Sequence, residues 1–516
     1  MTGGTPSSVR PAPAIGARTT AAQLRAQGAG IQTPTELFRA EILRRIAETR
    51  SHGFSHTEAV AALFPHTVLP TETYEDLVAA LVSGAHLLFF GPSGAGKTSL
   101  AKELWGLFPK DLWVVEGCPV GDDPLSLVSK EAAERQPPCP ICQRRFSPGG
   151  EIAAFDPALV DAAKVTAVRV RRREGYGFAR LQGSSEVFPD HLTGNVNLRK
   201  LEEIGDPMSP LVLEPGKLLQ ANRGLLLVDE IGKLPLGTQN VLLQSLQEGT
   251  VTPSKSRESF PALFVAVCTS NLSDLDNIND PLSDRLTSLH VGFNKRHSAN
   301  RQIVDRARAE IAAGYVPEIL LDSGVRMIEA WRLRMSEEDP DMGEVGSNRT
   351  LLDVIARAEA YGTLATHSIP TLDDLRAGLT HAMRGRIRAR SGDSFQQNSK
   401  RVQEFLDQHL ETALKDSAKV YWCRYFRDVL KSKNDEAQAL IGEGRRLMPD
   451  PALQTESKGK VDVFPRFHTF ATYVQERERP PASIGPWPAA VAEFALVEKY
   501  SLFTCDQEPT DDGAAG

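Results

Sequence analysis

Gly91-Pro92-Ser93-Gly94-Ala95-Gly96-Lys97-Thr98 follows directly on the apolar run Leu87-Leu88-Phe89-Phe90 and leads into a helical stretch from Ser99 to Leu107. It fits G-x-x-x-x-G-K-[ST] at every position, and strand, glycine loop and helix come in the order that pattern needs. The glycines let the backbone wrap a chain of phosphates, so that N–H groups and a helix N-terminus face the anion. Gly91, Pro92, Ser93, Gly94, Ala95, Gly96, Lys97, Thr98 and Ser99 are therefore expected to bind ATP. Lys97 would reach the β- and γ-phosphates, and Thr98 would hold Mg2+.

Further along the chain, Leu225 to Val228 is another short continuous apolar run, and it ends in Asp229-Glu230. Such runs are expected of strands buried on both faces, and open α/β sheets keep their ligands at the C-terminal ends of their strands. Asp229 would help to hold Mg2+, while Glu230 would polarise the attacking water. Leu263 to Val267 is a third run of this kind, leading to Asn271, a candidate to position the same water. Trp113 to Val115 reads as a further strand. Strands alternating with helices predict an α/β domain with a parallel sheet wrapped by helices.

Length sets the frame for these motifs. At 516 residues the chain exceeds one ordinary domain. Residues 1–33, rich in Gly, Ala, Pro, Ser and Thr, read as disordered. Thr35 is placed to cap a helix from Glu36 to Arg50. The nucleotide-binding domain is expected over 34–297, with an insertion at about 118–212. A helical lid over 298–392 and a mostly helical extension over 393–516 with a disordered tail complete the expected organisation. The lid holds an acidic loop, Ser336 to Gly346, and the extension a short helix, Ala489 to Tyr500.

Composition narrows the class. The chain is 41% hydrophobic and 24% charged, with a formal net charge of −7. That balance leans against a protein built to grip phosphate backbones. No apolar run is long enough to cross a bilayer, and the first twenty residues lack the apolar core of a secretory signal, so a cytoplasmic location is expected.

Three of the six cysteines fall close together, at Cys118, Cys139 and Cys142. Cys139-Pro140-Ile141-Cys142 has zinc-knuckle spacing, with Cys118 as a third ligand and a carboxylate or a histidine such as His191 as the fourth. Unliganded thiols are the alternative. A redox role would need the motif at a helix N-terminus rather than in a Pro-rich loop. Val168-Arg169-Val170-Arg171-Arg172-Arg173 reads as an edge strand protected by charge, or else as a basic lip for a polymer.

Together these segments resemble AAA+ ATPases, and in detail the MoxR and magnesium chelatase subunit I branch. Leu213-Glu214-Pro215-Gly216-Lys217-Leu218-Leu219-Gln220-Ala221-Asn222-Arg223-Gly224 is similar to that branch's lead-in to the carboxylate-bearing strand. Phe188 to Leu201 resembles its helix-2 insertion, and Asn240 to Thr252 its helix and following hairpin. The resemblance, which spans roughly residues 60–390, implies further roles. Arg285, in Asp284-Arg285-Leu286, would be an arginine finger acting on a neighbouring subunit's ATP, and Arg349, in Ser347-Asn348-Arg349, a sensor of bound nucleotide. It also implies a homo-oligomer such as a hexameric ring that remodels, activates or metal-loads a client, with a separate von Willebrand factor A protein as a partner. Two alternatives stand beside this reading: a motor stimulated by nucleic acid, and a slowly hydrolysing, ATP-regulated scaffold.

Overall fold

The computed structural model describes residues 14–310, 314–338, 346–384, 386, 395–449, 454, 462–501 and 503–505. The chain divides into two compact units: Met1–Gly91 with Gly96–Val291, and Pro92–Ala95 with Gly292–Gly516.

The strands of the first unit are, in order, β1 (Arg18–Thr20), β2 (His86–Gly91), β3 (Asp111–Val115), β4 (Thr166–Arg171), β5 (Arg173–Glu174), β6 (Gly177–Gln182), β7 (Gly194–Val196), β8 (Leu213–Pro215), β9 (Gly224–Asp229), β10 (Thr250–Val251), β11 (Phe260–Pro261), β12 (Phe264–Asn271) and β13 (Leu286–His290). Six of them form one parallel sheet in the order β13-β2-β12-β9-β6-β5. β9 lies inside it and is buried along its whole length, which is why Leu225 to Val228 carries no polar alternation. Its first residue must be glycine, because a Cβ on Gly224 would sit 1.7 Å from the Gly177 carbonyl oxygen. Helices Lys97–Leu107 and Leu236–Glu248 are amphipathic partners of this core, burying Leu100 and Leu104 in one and Leu242 in the other.

Four expectations about this unit need correction. Trp113 to Val115 belongs to β3, which is not in the parallel sheet; it pairs antiparallel with β4 in a separate sheet of order β1-β4-β3. Its burial alternates, Leu112 and Val114 inside against half-buried Asp111 and Trp113, so it has one covered face rather than two. The arginine-rich stretch up to Arg171 is not an edge strand either. β4 is the middle strand of that sheet, because β1 covers its other side. The segment over 1–33 carries structure in its described part: β1 leads into helix Ala21–Ala26, capped by Thr20, and Ala21 and Leu24 are buried. Residues 1–13 lie outside the described residues. The helix expected from Glu36 is Pro34–Ser51, and Thr33 caps it instead of Thr35, through a reciprocal pair of hydrogen bonds with Glu36.

The described residues of the second unit form helices His297–Glu310, Glu318–Glu338, Asn348–Leu364, Leu372–Arg384, Phe395–Asp428, Asn434–Leu447, Pro465–Glu478 and Pro486–Tyr500. Ser336 to Glu338 finish a helix rather than open the expected loop, residues 339–345 lie outside the described set, and so does the tail from 506. Helix Phe395–Asp428 supplies Val402, Phe405 and Leu406 to one apolar cluster and Tyr421, Trp422 and Tyr425 to a second. The segments expected as lid and extension meet in the first of these clusters, and both fall within the stretch Gly292–Gly516 of the second unit.

Two buried polar groups mark this unit. The His297 ring meets Asp322 at 2.6 Å through Nε2 and Glu329 at 2.9 Å through Nδ1, tying two helices. Burial opposes its charge, but the two carboxylates outweigh burial and hold the imidazolium up to about 9. Glu493 is fully buried with neither carboxylate oxygen hydrogen-bonded. Burial, then the nearby Glu478 and Glu318, drive its carboxyl well above the usual range.

Candidate nucleotide site

The sheet order brings the ends of β2, β9 and β12 side by side. β12 separates the other two strands, with Asn271 in register with Gly91 and Cys268 with Val228. From the end of β2 the chain turns through Gly91 (φ 152°), Gly94 (φ 75°) and Gly96 (φ 105°) into helix Lys97–Leu107. Positive φ at these three positions is what glycine alone tolerates without strain. The Lys97 side chain is buried; its Nζ donates to the Gly91 carbonyl at 2.8 Å and to Asn271 Oδ1 at 3.1 Å.

Asp229 stands at the end of β9, almost fully buried. Its Oδ1 accepts from the Thr98 hydroxyl at 2.9 Å and from the Thr269 hydroxyl at 2.6 Å, and Arg180 lies 3.3 Å from Oδ2. A hydroxyl beside a carboxylate is the hard-oxygen donor pair that suits Mg2+. Glu230 follows in a left-handed conformation, φ 57° and ψ 52°, rare for a residue with a side chain. Its backbone N–H donates to Thr269 Oγ1 at 2.9 Å. Its carboxylate meets Gln182 Nε2 at 2.9 Å, Lys233 Nζ at 3.0 Å and, more loosely, Asn271 Nδ2 at 3.5 Å.

The structure thus gathers Lys97, Thr98, Asp229, Glu230 and Asn271. Ser99 is exposed on the first turn of its helix. Arg285 is exposed just after the short helix Asp280–Ser283, with its backbone N–H on Leu282. In the second unit, Arg349 is exposed at the start of helix Asn348–Leu364. Its neighbour Asn348 donates its backbone N–H to Gly94 O at 3.2 Å and its amide to Ala95 O at 3.4 Å.

Sequence reasoning did not single out Thr269, Arg180, Gln182, Lys233 or Asn348. Only Thr269 left a usable trace, a hydroxyl two positions before Asn271 at the end of the same strand. Arg169, Arg171 and Arg172 have partners in the fold, Arg171 at its surface. Arg169 and Arg171 pair with Asp111, and buried Arg172 donates to the Arg223 and Pro109 carbonyls, both at 2.9 Å.

The three clustered cysteines come together with one residue that sequence spacing missed. Cys118, Cys139, Cys142 and Asp122 are all buried, and their ligand atoms lie within 4.8 Å of one another. His191 is elsewhere, its ring accepting from the Phe188 N–H at 3.1 Å. Cys139 is not in an irregular loop: it caps helix Pro140–Phe146, and its Sγ accepts from Cys142 N at 3.5 Å. Burial, and then the adjoining Cys118, push the Asp122 carboxyl up to about 8.

Residues 82–320 match the family described as the PrkA AAA domain. Over those residues the chain is similar to AAA+ domains. The match takes in β2, β9 and β12 with the residues gathered at their ends, and the cysteine cluster; Arg349 lies beyond it. Over 243 residues the chain is 26% identical to magnesium-chelatase subunit ChlI of Guillardia theta, an alignment covering 42% of this chain and 66% of that relative. It is 21% identical over 350 residues to a ChlI homolog from Methanocaldococcus jannaschii, covering 64% and 86%. A solved structure of the complex between subunits BchI and BchD of magnesium chelatase is similar over 61% of this chain and 92% of that one, at 21% identity and a TM-score of 0.30. Among the described residues, no helix is long and apolar enough to cross a membrane.

Proposed function

We propose that the AAA+ domain hydrolyses Mg-ATP and that the chain works as an oligomeric ring, of the MoxR and magnesium chelatase type, which remodels, activates or metal-loads a client protein. The observation that carries the chemistry is the convergence of Lys97, Thr98, Asp229, Glu230 and Asn271 at the ends of three adjacent parallel strands. Backbone N–H groups of the loop from Ser93 to Ser99 bind the phosphate chain, and Lys97 neutralises its terminal charge. Thr98 and Asp229 would hold Mg2+, which when bound offsets charge on the β- and γ-phosphates. Glu230 orients the attacking water and takes its proton, and Asn271 helps to position the same water. Arg285 acts on the ATP of a neighbouring subunit, and Arg349 reads the state of the nucleotide. The ring, these two arginine roles and a von Willebrand factor A partner rest on the family resemblance, and a cytoplasmic location on the sequence pattern alone.

A second reading, the slowly hydrolysing scaffold, draws on Lys233. Its ammonium, 3.0 Å from Glu230, neutralises the carboxylate that would act as base. Steady-state ATP hydrolysis by wild type and Glu230→Gln, each with and without single-stranded and duplex DNA, separates the readings. Activity in wild type, lowered at least ~100-fold in the variant with ATP binding retained and unmoved by DNA, is the expected result. Equal, very slow turnover in both proteins would sink the hydrolytic reading and favour the scaffold.

A further inference from the structure

We infer that Cys118, Asp122, Cys139 and Cys142 form a structural zinc centre that clamps the start of the insertion onto the segment feeding the strand that bears Asp229. The donor set is three sulfurs and one oxygen, a combination zinc accepts in a tetrahedron. Zinc–sulfur bonds of about 2.3 Å around a tetrahedron place the sulfurs about 3.8 Å apart. Cys118 Sγ and Cys139 Sγ are 3.8 Å apart. That is far too long for a disulfide, whose sulfurs bond at about 2.05 Å. It is also shorter than the spacing of thiolates held on the separate irons of a four-iron, four-sulfur cluster.

Thiols packed against one another would explain the sulfur spacing but not the carboxylate. Asp122 Oδ2 accepts from Cys139 N at 2.8 Å, whereas Oδ1 is buried with no hydrogen-bond partner. A buried carboxylate oxygen left bare is costly, and a cation at the centre of the group satisfies it. The surroundings are those of a thiolate site. The Asp122 N–H points at Cys118 Sγ from 3.3 Å, and the Cys142 N–H at Cys139 Sγ from 3.5 Å, as outer partners of ligating groups do.

The loop from Cys118 to Asp123 is in turn bound to the residues just ahead of β9. Asn222 Nδ2 donates to Val120 O at 3.0 Å, Arg223 Nη1 donates to Gly121 O at 3.0 Å, and Arg223 pairs with Asp123. Tyr176 closes the group by donating to Cys118 O at 3.1 Å. Through these bonds an ion would fix the lead-in to the catalytic strand without touching nucleotide.

Metal analysis tests this independently of any ATPase activity. The full chain, purified reduced and without chelator, should carry about one zinc per molecule, and a chelator should lower its melting temperature. Cobalt added to the metal-stripped protein should give the visible bands of a tetrahedral thiolate site. Asp122→Asn and Cys142→Ser should each weaken zinc binding at least ~10-fold. Cys268→Ser, which alters a buried thiol in β12 outside the group, should retain wild-type zinc. If the two ligand variants fail to fold, the cobalt titration of wild type decides alone. Neither zinc on purification nor cobalt bands on titration, or a disulfide among the three cysteines in the native protein, would overturn the proposal.

Discussion

A single hydroxyl organises the carboxylates at the end of β9. Thr269 donates to Asp229 Oδ1 and accepts from the Glu230 backbone N–H, so it orients one acid and holds the other's unusual backbone turn in place. A left-handed glutamate costs on the order of 1–3 kcal/mol, which surrounding structure must over-determine. Removing the hydroxyl in Thr269→Val keeps the shape of the side chain and deletes both bonds. Hydrogen bonds to charged groups are worth about 1.5–3 kcal/mol, so kcat should fall roughly 10- to 100-fold with ATP affinity changed little. Steady-state kinetics alongside nucleotide titration would show it, and an unchanged kcat would remove Thr269 from the machinery. Residues with their own sequence signature were legible beforehand: Lys97 and Thr98 through a fixed spacing, Asp229 and Glu230 through the apolar run they terminate. Thr269, Arg180 and Asp122 were not, because what brings each to its partner is sheet register or loop packing, and neither leaves a local pattern.

Among the elements, strands buried on both faces were readable because their sequence cannot alternate. β3 and β4 were misplaced because β3 pairs with β4 across the insertion, and the other side of β4 is covered by residues 18–20, in a segment whose composition suggests no structure. The join between this side sheet and β9 depends on Arg223, itself left-handed at φ 59°, whose guanidinium reaches Trp113 O at 2.8 Å as well as Gly121 and Asp123. Arg223→Ala would leave Asp123 buried without its cation and should destabilise the first unit by about 3–5 kcal/mol in urea unfolding. The helices of the second unit respond to pH instead. His297 titrates near 6.5 when unfolded and about 9 when folded, so its contribution is complete below 6.5 and is lost as pH rises through 9. Glu493 acts in the same direction, because its folded carboxyl stays protonated well above the 4.5 of an unfolded glutamate. The melting temperature of this unit should fall steadily from pH 6.5 to 9. His297→Gln should be less stable at pH 6.5 and flatten that slope, whereas Glu493→Gln should be more stable at pH 9. A melting temperature indifferent to pH in the wild type would contradict both assignments.

For the molecule as a whole, charge speaks to its partners. A net charge of −7, with Arg169 and Arg172 turned into the fold and exposed Arg171 paired with Asp111, leaves little of the Val168–Arg173 stretch to track a phosphate backbone. ATP turnover should therefore be insensitive to duplex DNA even at low salt, where non-specific electrostatic binding is strongest. Stimulation that collapses steeply as salt is raised would show that a nucleic-acid track exists after all. The parallel sheet also bears on how the chain comes into being. The bond from the Ala266 N–H to His86 Nδ1 joins residues 180 apart, and β12 lies between β2 and β9. At ribosomal speeds of about 5–20 residues per second, β2 and its glycine loop wait roughly ten seconds or more for the strand that pairs with them. Over that interval Leu87, Leu88 and Phe89, later sealed in the core, face the solvent or whatever holds the nascent chain. A nascent chain stalled short of β12 would present a complete glycine loop with nothing to bind it, so competence for nucleotide should arrive abruptly, late in translation.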